Sequence, residues 1–130
     1  MEPLHISATS ELPMVDFNPA AGELLIKGRS VPENGKLFYD TVTSWISTYV
    51  KTPANPTHIT FQLDYFNISS SKSFLFILYK LVELEQAGVE VKVSWIYSDA
   101  YILGAGRDYA FMVKLPFEFI KAGKQETAAA

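Results

Sequence analysis

Cysteine is missing from all 130 residues, which removes disulfide scaffolds, thiolate nucleophiles and sulfur-ligated metal sites together. Basic residues are few as well. Eleven Lys and Arg stand against fourteen Asp and Glu, a net charge of -3, and they form no cluster of the kind that binds nucleic acid. Long hydrophobic runs are also absent. The longest, Phe74–Tyr79, falls far short of the roughly 20 apolar residues that cross a bilayer. Met1–Ser10 lacks the basic-then-apolar order of a signal peptide. The expectation is a cytoplasmic chain with neither a membrane nor a nucleic acid as partner.

What is present is core-forming material: 48% of residues are hydrophobic and 14% aromatic, which excludes a disordered chain. This length fits one domain without staples. Leu4–Thr9, Met14–Phe17 and Glu23–Lys27 read as short strands parted by turn-rich linkers, as in a meander or hairpin. Pro32-Glu33-Asn34 opens a helix, in which Phe38, Val42, Trp45, Ile46 and Tyr49 form the apolar face. His58–Tyr65 alternates, with Ile59, Phe61, Leu63 and Tyr65 to one side. A second helix runs from the turn at Asn67-Ile68-Ser69-Ser70-Ser71 to about Gln86, and Gly88 is placed as its left-handed cap. Val89, Val91, Val93 and Trp95 alternate in a strand parallel to His58–Tyr65, because the intervening helix is long enough for a crossover.

Beyond Tyr97 the pattern blurs. Asp99–Val113 can hold a helix only against Gly104 and Gly106, each costing about 1 kcal/mol relative to alanine. Leu115–Ile120 reads as a last strand, with Pro116 suggesting an edge. The expected architecture is α/β: a single domain over residues 1–122, with a mixed sheet and two main helices packed mostly on one face. Residues 123–130 are expected to form a flexible tail.

Chemistry is scarce. His5 and His58 lie in strand patterns without metal-ligand spacing, and both read as structural. There is no nucleophile elbow, phosphate loop or dinucleotide fingerprint, and Gly104-Ala105-Gly106 reads as a loop. Asp64 ends a strand without a nameable partner. No catalytic residues, cofactor or metal are therefore expected. The turn after the central strand is more informative, since Asn67, Ser69, Ser70 and Ser71 gather capping side chains at a helix start. The same position favours a phosphate, so Ser69 and Ser70 are candidate phosphosites.

Three segments resemble the SiaC family of bacterial regulatory phosphoproteins. They are Gly28-Arg29-Ser30-Val31-Pro32-Glu33-Asn34, Leu63 to Lys72, and Gly106-Arg107-Asp108-Tyr109 leading to Val113-Lys114-Leu115-Pro116-Phe117. The resemblance implies a fold like STAS-type anti-sigma-factor antagonists and a partner-switching adaptor. It also implies a threonine after the turn's asparagine that a kinase phosphorylates and a PPM-type phosphatase clears. The unmodified form would bind an effector such as a diguanylate cyclase. Here that position is Ile68, which cannot carry a phosphate, so either Ser69 or Ser70 takes over or the switch is lost. The resemblance further implies charged residues at the places of Phe76 and Tyr79, an acidic loop after Trp95, and an acid at Phe111.

Periodicity separately places Phe74, Ile77, Leu78, Leu81 and Leu84 on the buried stripe of the second helix, leaving Phe76 and Tyr79 on the opposite side. With Tyr101, Ile102, Leu103 and Phe111 they make a candidate protein-binding face. Isoleucine in place of the phosphoacceptor and aromatics in place of the charged surface that the resemblance implies also read as an engineered family member, a designed binder or inhibitor.

Overall fold

The computed structural model describes residues 1–123 in one mixed six-stranded sheet with three helices. The tail expected from 123 onward lies, after Gly123, outside the described residues. Strands β1 (Leu4–Ile6), β2 (Met14–Asn18) and β3 (Glu23–Ser30) form an antiparallel meander. The chain then advances one strand at a time through β3–α1–β4, β4–α2–β5 and β5–α3–β6, with every new strand parallel to the last. These elements are α1 (Lys36–Tyr49), β4 (Thr57–Phe66), α2 (Ile68–Gln86), β5 (Val91–Tyr97), α3 (Ala100–Val113) and β6 (Phe117–Lys121). Right-handed crossovers stepping in one direction put all three helices on one face. Against that face the strands bury Val15, Phe17, Leu24, Ile26, Ile59, Phe61, Val93 and Trp95. The α2 stripe of Phe74, Ile77, Leu78, Leu81 and Leu84 lies in the same core.

Most strand and helix expectations hold. Gly88 takes φ 94° just past the end of α2, and β6 with Pro116 at its start is an edge strand. Three details differ. Helix α1 begins at Lys36 with Gly35 at its cap, where a Cβ would collide with the Pro32 ring. The α1 face also buries Tyr39, while Phe38 and Trp45 only flank the core.

The region after Tyr97 is a full third helix, so the expectation of two main helices is corrected. Asp99 caps it by accepting from Ile102 N at 2.9 Å, and Lys114 closes it in the left-handed region at φ 57°. Its two glycines have opposite roles. A Cβ on Gly106 would overlap the buried Trp95 indole, whose Nε1 donates to the Ile102 carbonyl at 2.8 Å. Gly106 is thus the seat that lets α3 close on β5. A Cβ on Gly104 would meet nothing within 4 Å, so this glycine does no packing work inside the domain.

The third difference is a bulge. Gly28 pairs with Leu63 but Arg29 pairs with Tyr65, which leaves Asp64 as an extra residue in β4. An inserted residue flips the side-chain alternation beyond it. Tyr65, expected inward with Leu63, is therefore 45% exposed, and Phe66 enters the core instead.

The glycine contrast gives a test in urea. Gly106→Ala is expected to lose about 1–3 kcal/mol by overpacking against Trp95. Gly104→Ala is expected to gain up to about 1 kcal/mol from helix propensity. Equal effects at the two positions would contradict this account of α3.

Candidate protein-binding face

The bulge and the α3 cap together build an exposed aromatic pair. The bulge turns Tyr65 outward at the end of β4, and Asp99 fixes the first turn of α3 so that Tyr101 lies over it. The two rings stack with centroids 6.0 Å apart and planes 24° from parallel. Such pairs contribute about 0.5–1.5 kcal/mol beyond their burial. Tyr101 is nevertheless 63% exposed, and so offers its outer ring surface to solvent. The pair walls a groove of about 570 Å³ at the carboxyl end of the sheet, together with Pro32, Glu33, Ile68 and Ser69. Ile68, the first residue of α2, is 80% exposed.

The start of α2 is wired into its surroundings through hydroxyls. Asn67 Oδ1 accepts from Ser70 N and from Ser69 Oγ, both at 3.0 Å, which is the capping geometry that the turn's composition implies. Losing such a cap costs about 1 kcal/mol. Ser70 Oγ is fully buried, shares a hydrogen bond with Ser30 Oγ at 2.7 Å, and donates to the Ser30 carbonyl. Ser30 in turn bonds Tyr39 on α1, and Ser71 bonds Tyr109 on α3. Ser70 therefore fails as a phosphosite in the folded domain, since a kinase cannot reach its hydroxyl. Ser69 is exposed, and its hydroxyl is tied only to the cap residue.

One member of the expected face is excluded by burial. Ile102 is fully buried under α3 and accepts the Trp95 hydrogen bond through its carbonyl, so it drops out. Leu103 is half-buried, on the flank of the helix. Phe76 and Tyr79 are exposed on α2, with Lys80 Nζ sitting 5.6 Å from the Phe76 ring centroid. Phe111 is 82% exposed on the outer side of α3. Among the described residues no ring contact joins Phe76, Tyr79 or Phe111 to the Tyr65–Tyr101 pair. Sequence reasoning missed Tyr65, because nothing in the β4 pattern announces the extra residue. It also missed Met112, exposed beside Phe111, which a helical projection of α3 would have found had the helix been accepted.

The opposite, helix-free sheet face holds both histidines. His5 lies 3.8 Å from Asp16 on neighbouring strands. His58 stands between Glu23, at 3.2 Å from Nδ1, and Ser94, at 2.7 Å from Nε2. Acid, imidazole and hydroxyl in this order resemble a hydrolytic triad. However, Ser94 is buried in the middle of β5, whose backbone is paired to β4 and β6, so no free N–H donors converge on an oxyanion. The arrangement ties β3, β4 and β5 together. Asp64, the bulge residue, is exposed and forms no ion pair among the described residues.

Residues 6–122 match the SiaC family of regulatory phosphoproteins. The chain belongs to the SiaC family. A relative in Pseudomonas aeruginosa (strain UCBPP-PA14), itself uncharacterised, is 33% identical over 97 residues, which is 75% of this chain and 77% of that protein. The crystal structure of apo-SiaC from Pseudomonas aeruginosa matches with a TM-score of 0.85 at 28% identity, over 92% of this chain and 99% of that one. SiaC bound to the diguanylate cyclase SiaD, whose activator it is, matches equally well over 91% of this chain and 98% of that one. The expectation of an engineered binder finds no support in these comparisons. Among the described residues no helix is long and apolar enough to cross a membrane.

The buried hydroxyl network has a pH signature. Burial raises the Tyr39 and Tyr109 phenols above their ordinary value of 10.0, against the opposing effect of their serine hydrogen bonds. A phenol raised on folding stabilises the domain fully below the unfolded value, and that stability is lost as pH rises through the folded value. Stability to urea is expected to be flat in this respect up to about pH 10 and to fall above it. Tyr109→Phe is expected to shallow that fall; an unchanged alkaline limb in both Tyr109→Phe and Tyr39→Phe would remove these residues as its cause.

Proposed function

We propose that this SiaC-family chain is a non-catalytic cytoplasmic adaptor that binds a protein effector and is switched by phosphorylation at Ser69. The observation that carries the reading is the exposed Tyr65–Tyr101 pair beside Ile68 and Ser69, which puts an apolar docking surface and an accessible hydroxyl at one place. Large aromatics are favoured interface anchors because they bury much area with few rotors. The similarity to SiaC in its complex with SiaD supports an effector of the diguanylate cyclase class. Phe76, Tyr79 and Phe111 extend the surface available to such a partner, and Leu103 contributes only its exposed edge.

Ser69 takes the acceptor role by elimination among three serines. Ser70 is sealed in the core and Ser71 is engaged by Tyr109, whereas Ser69 faces solvent in the first turn of α2. A phosphate there is favoured by the helix dipole. It also sets a charge of about -1.5 to -2 at the rim of the aromatic surface, where docking an apolar partner would have to desolvate it. The unmodified form is the binding form, and a kinase and a phosphatase are its further partners.

Binding to a diguanylate cyclase of the SiaD type, measured by calorimetry, is expected to be abolished by Tyr101→Asp and weakened by Phe76→Asp, with circular dichroism unchanged. Ser69→Glu is expected to weaken it about tenfold, equivalent to ~1.4 kcal/mol. Mass spectrometry after incubation with the cognate kinase is expected to find phosphate on Ser69. Intact binding in Tyr101→Asp would remove the docking surface, and an unmodified Ser69 would remove the switch.

A further inference from the structure

Gly104 poses a question that the domain's own packing does not answer. It lies mid-helix in α3, where glycine costs about 1 kcal/mol, and a Cβ there would touch nothing within 4 Å. The residues of α3 that share its outward side by helical spacing are Tyr101, Arg107, Asp108 and Phe111, all exposed. Phe111 is 82% exposed, which leaves a large knob without a hole. Arg107 and Asp108 form no ion pair among the described residues.

We propose that this face of α3 packs against the same face of a second copy of the chain, with the two helices antiparallel about a two-fold axis between Arg107 and Asp108. An isologous contact must be complementary to itself, and this stripe is. With the axis at that midpoint, Phe111 of each copy meets Gly104 of the other, so the knob enters the gap left by the missing side chain. Arg107 of each copy faces Asp108 of the other, giving two ion pairs. Two kinds of pair with one shared midpoint, one steric and one electrostatic, are what argue for a copy of this chain over an unrelated partner.

A glycine at a helix crossing lets the axes approach to the short end of the usual 8–10 Å. One helix pair covers little area, and exposed ion pairs add little strength, so the dimer is weak and reversible. It occupies the outward side of α3, which Tyr101 shares, so dimer and effector would compete at that end of the helix, while neither contact requires the other. While it lasts, it hides Phe111 from any other protein.

Sedimentation velocity on the full chain from ~10 μM to ~1 mM is expected to show a monomer–dimer equilibrium within that range. Gly104→Leu fills open space on a helix, so it should keep or raise the melting temperature while abolishing the dimer. Phe111→Ala should weaken association about tenfold or more. Arg107→Asp and Asp108→Arg should each be monomeric alone, and an equimolar mixture of the two should dimerise again. A wild-type chain that stays monomeric to ~1 mM, or a dimer that survives Gly104→Leu, would overturn the proposal. Failure of the mixture to associate would overturn the antiparallel pairing.

Discussion

The rest of the molecule hangs on how α3 sits against Trp95. Its indole is fully buried, touches Phe61, Phe66, Tyr109 and Phe117, and donates its one hydrogen bond to the Ile102 carbonyl. A buried indole N–H without an acceptor would cost about 1–3 kcal/mol, so this bond fixes where the helix must lie. Gly106 makes the approach possible, because any side chain there would enter the indole ring. Once α3 is seated in this way, its first turn carries Tyr101 over the end of β4 and its middle carries Tyr109 to Ser71. The surface chemistry of the face is a consequence of a packing event in the core.

The second determinant is the extra residue in β4. Without the bulge, with Asp64 kept in the regular alternation, Tyr65 would be buried beneath the helices and Phe66 turned outward. With it, a phenylalanine fills the core beside Phe74 and Trp95, and a tyrosine with a polar tip meets water. That exchange places the better-suited side chain in each environment, since a buried phenol would need a partner for its hydroxyl. Bulges re-aim side chains in this way near sheet ends, where binding sites gather.

How much of this the sequence discloses follows from the range of the interactions involved. Val91, Val93 and Trp95 alternate, the α2 stripe recurs at three- and four-residue steps, and Gly88 follows the last turn, so local periodicity exposes β5 and α2. The turn at Asn67 is legible because capping is a three-residue affair. The bulge is not, since it depends on which residue of β3 pairs with which of β4 across an intervening helix. Gly104 and Gly106 look alike in the chain, and both argue against a helix; only the neighbour across the core shows that Gly106 is required by the domain's packing and Gly104 is not. Ser70 is likewise indistinguishable from Ser69 until Ser30, forty residues earlier, closes over it.

Ile68 and Ser69 bring these strands of reasoning to one point. They are consecutive at the start of a helix, so their side chains diverge by about 100° around its axis. Ile68 faces the groove walled by Tyr65 and Tyr101. Ser69 borders that groove and also the neighbouring one beside Tyr39, Lys36 and Asp40. On the proposed reading, an isoleucine in the first position adds apolar area to the docking surface, where a hydroxyl would add a polar group to be desolvated. An acceptor at Ser69 would keep the phosphate on the dipole of the same helix while placing it at the rim of the groove. The unmodified state would then be the stickier one, and the modified state would act by charge at the edge of the interface, away from its centre.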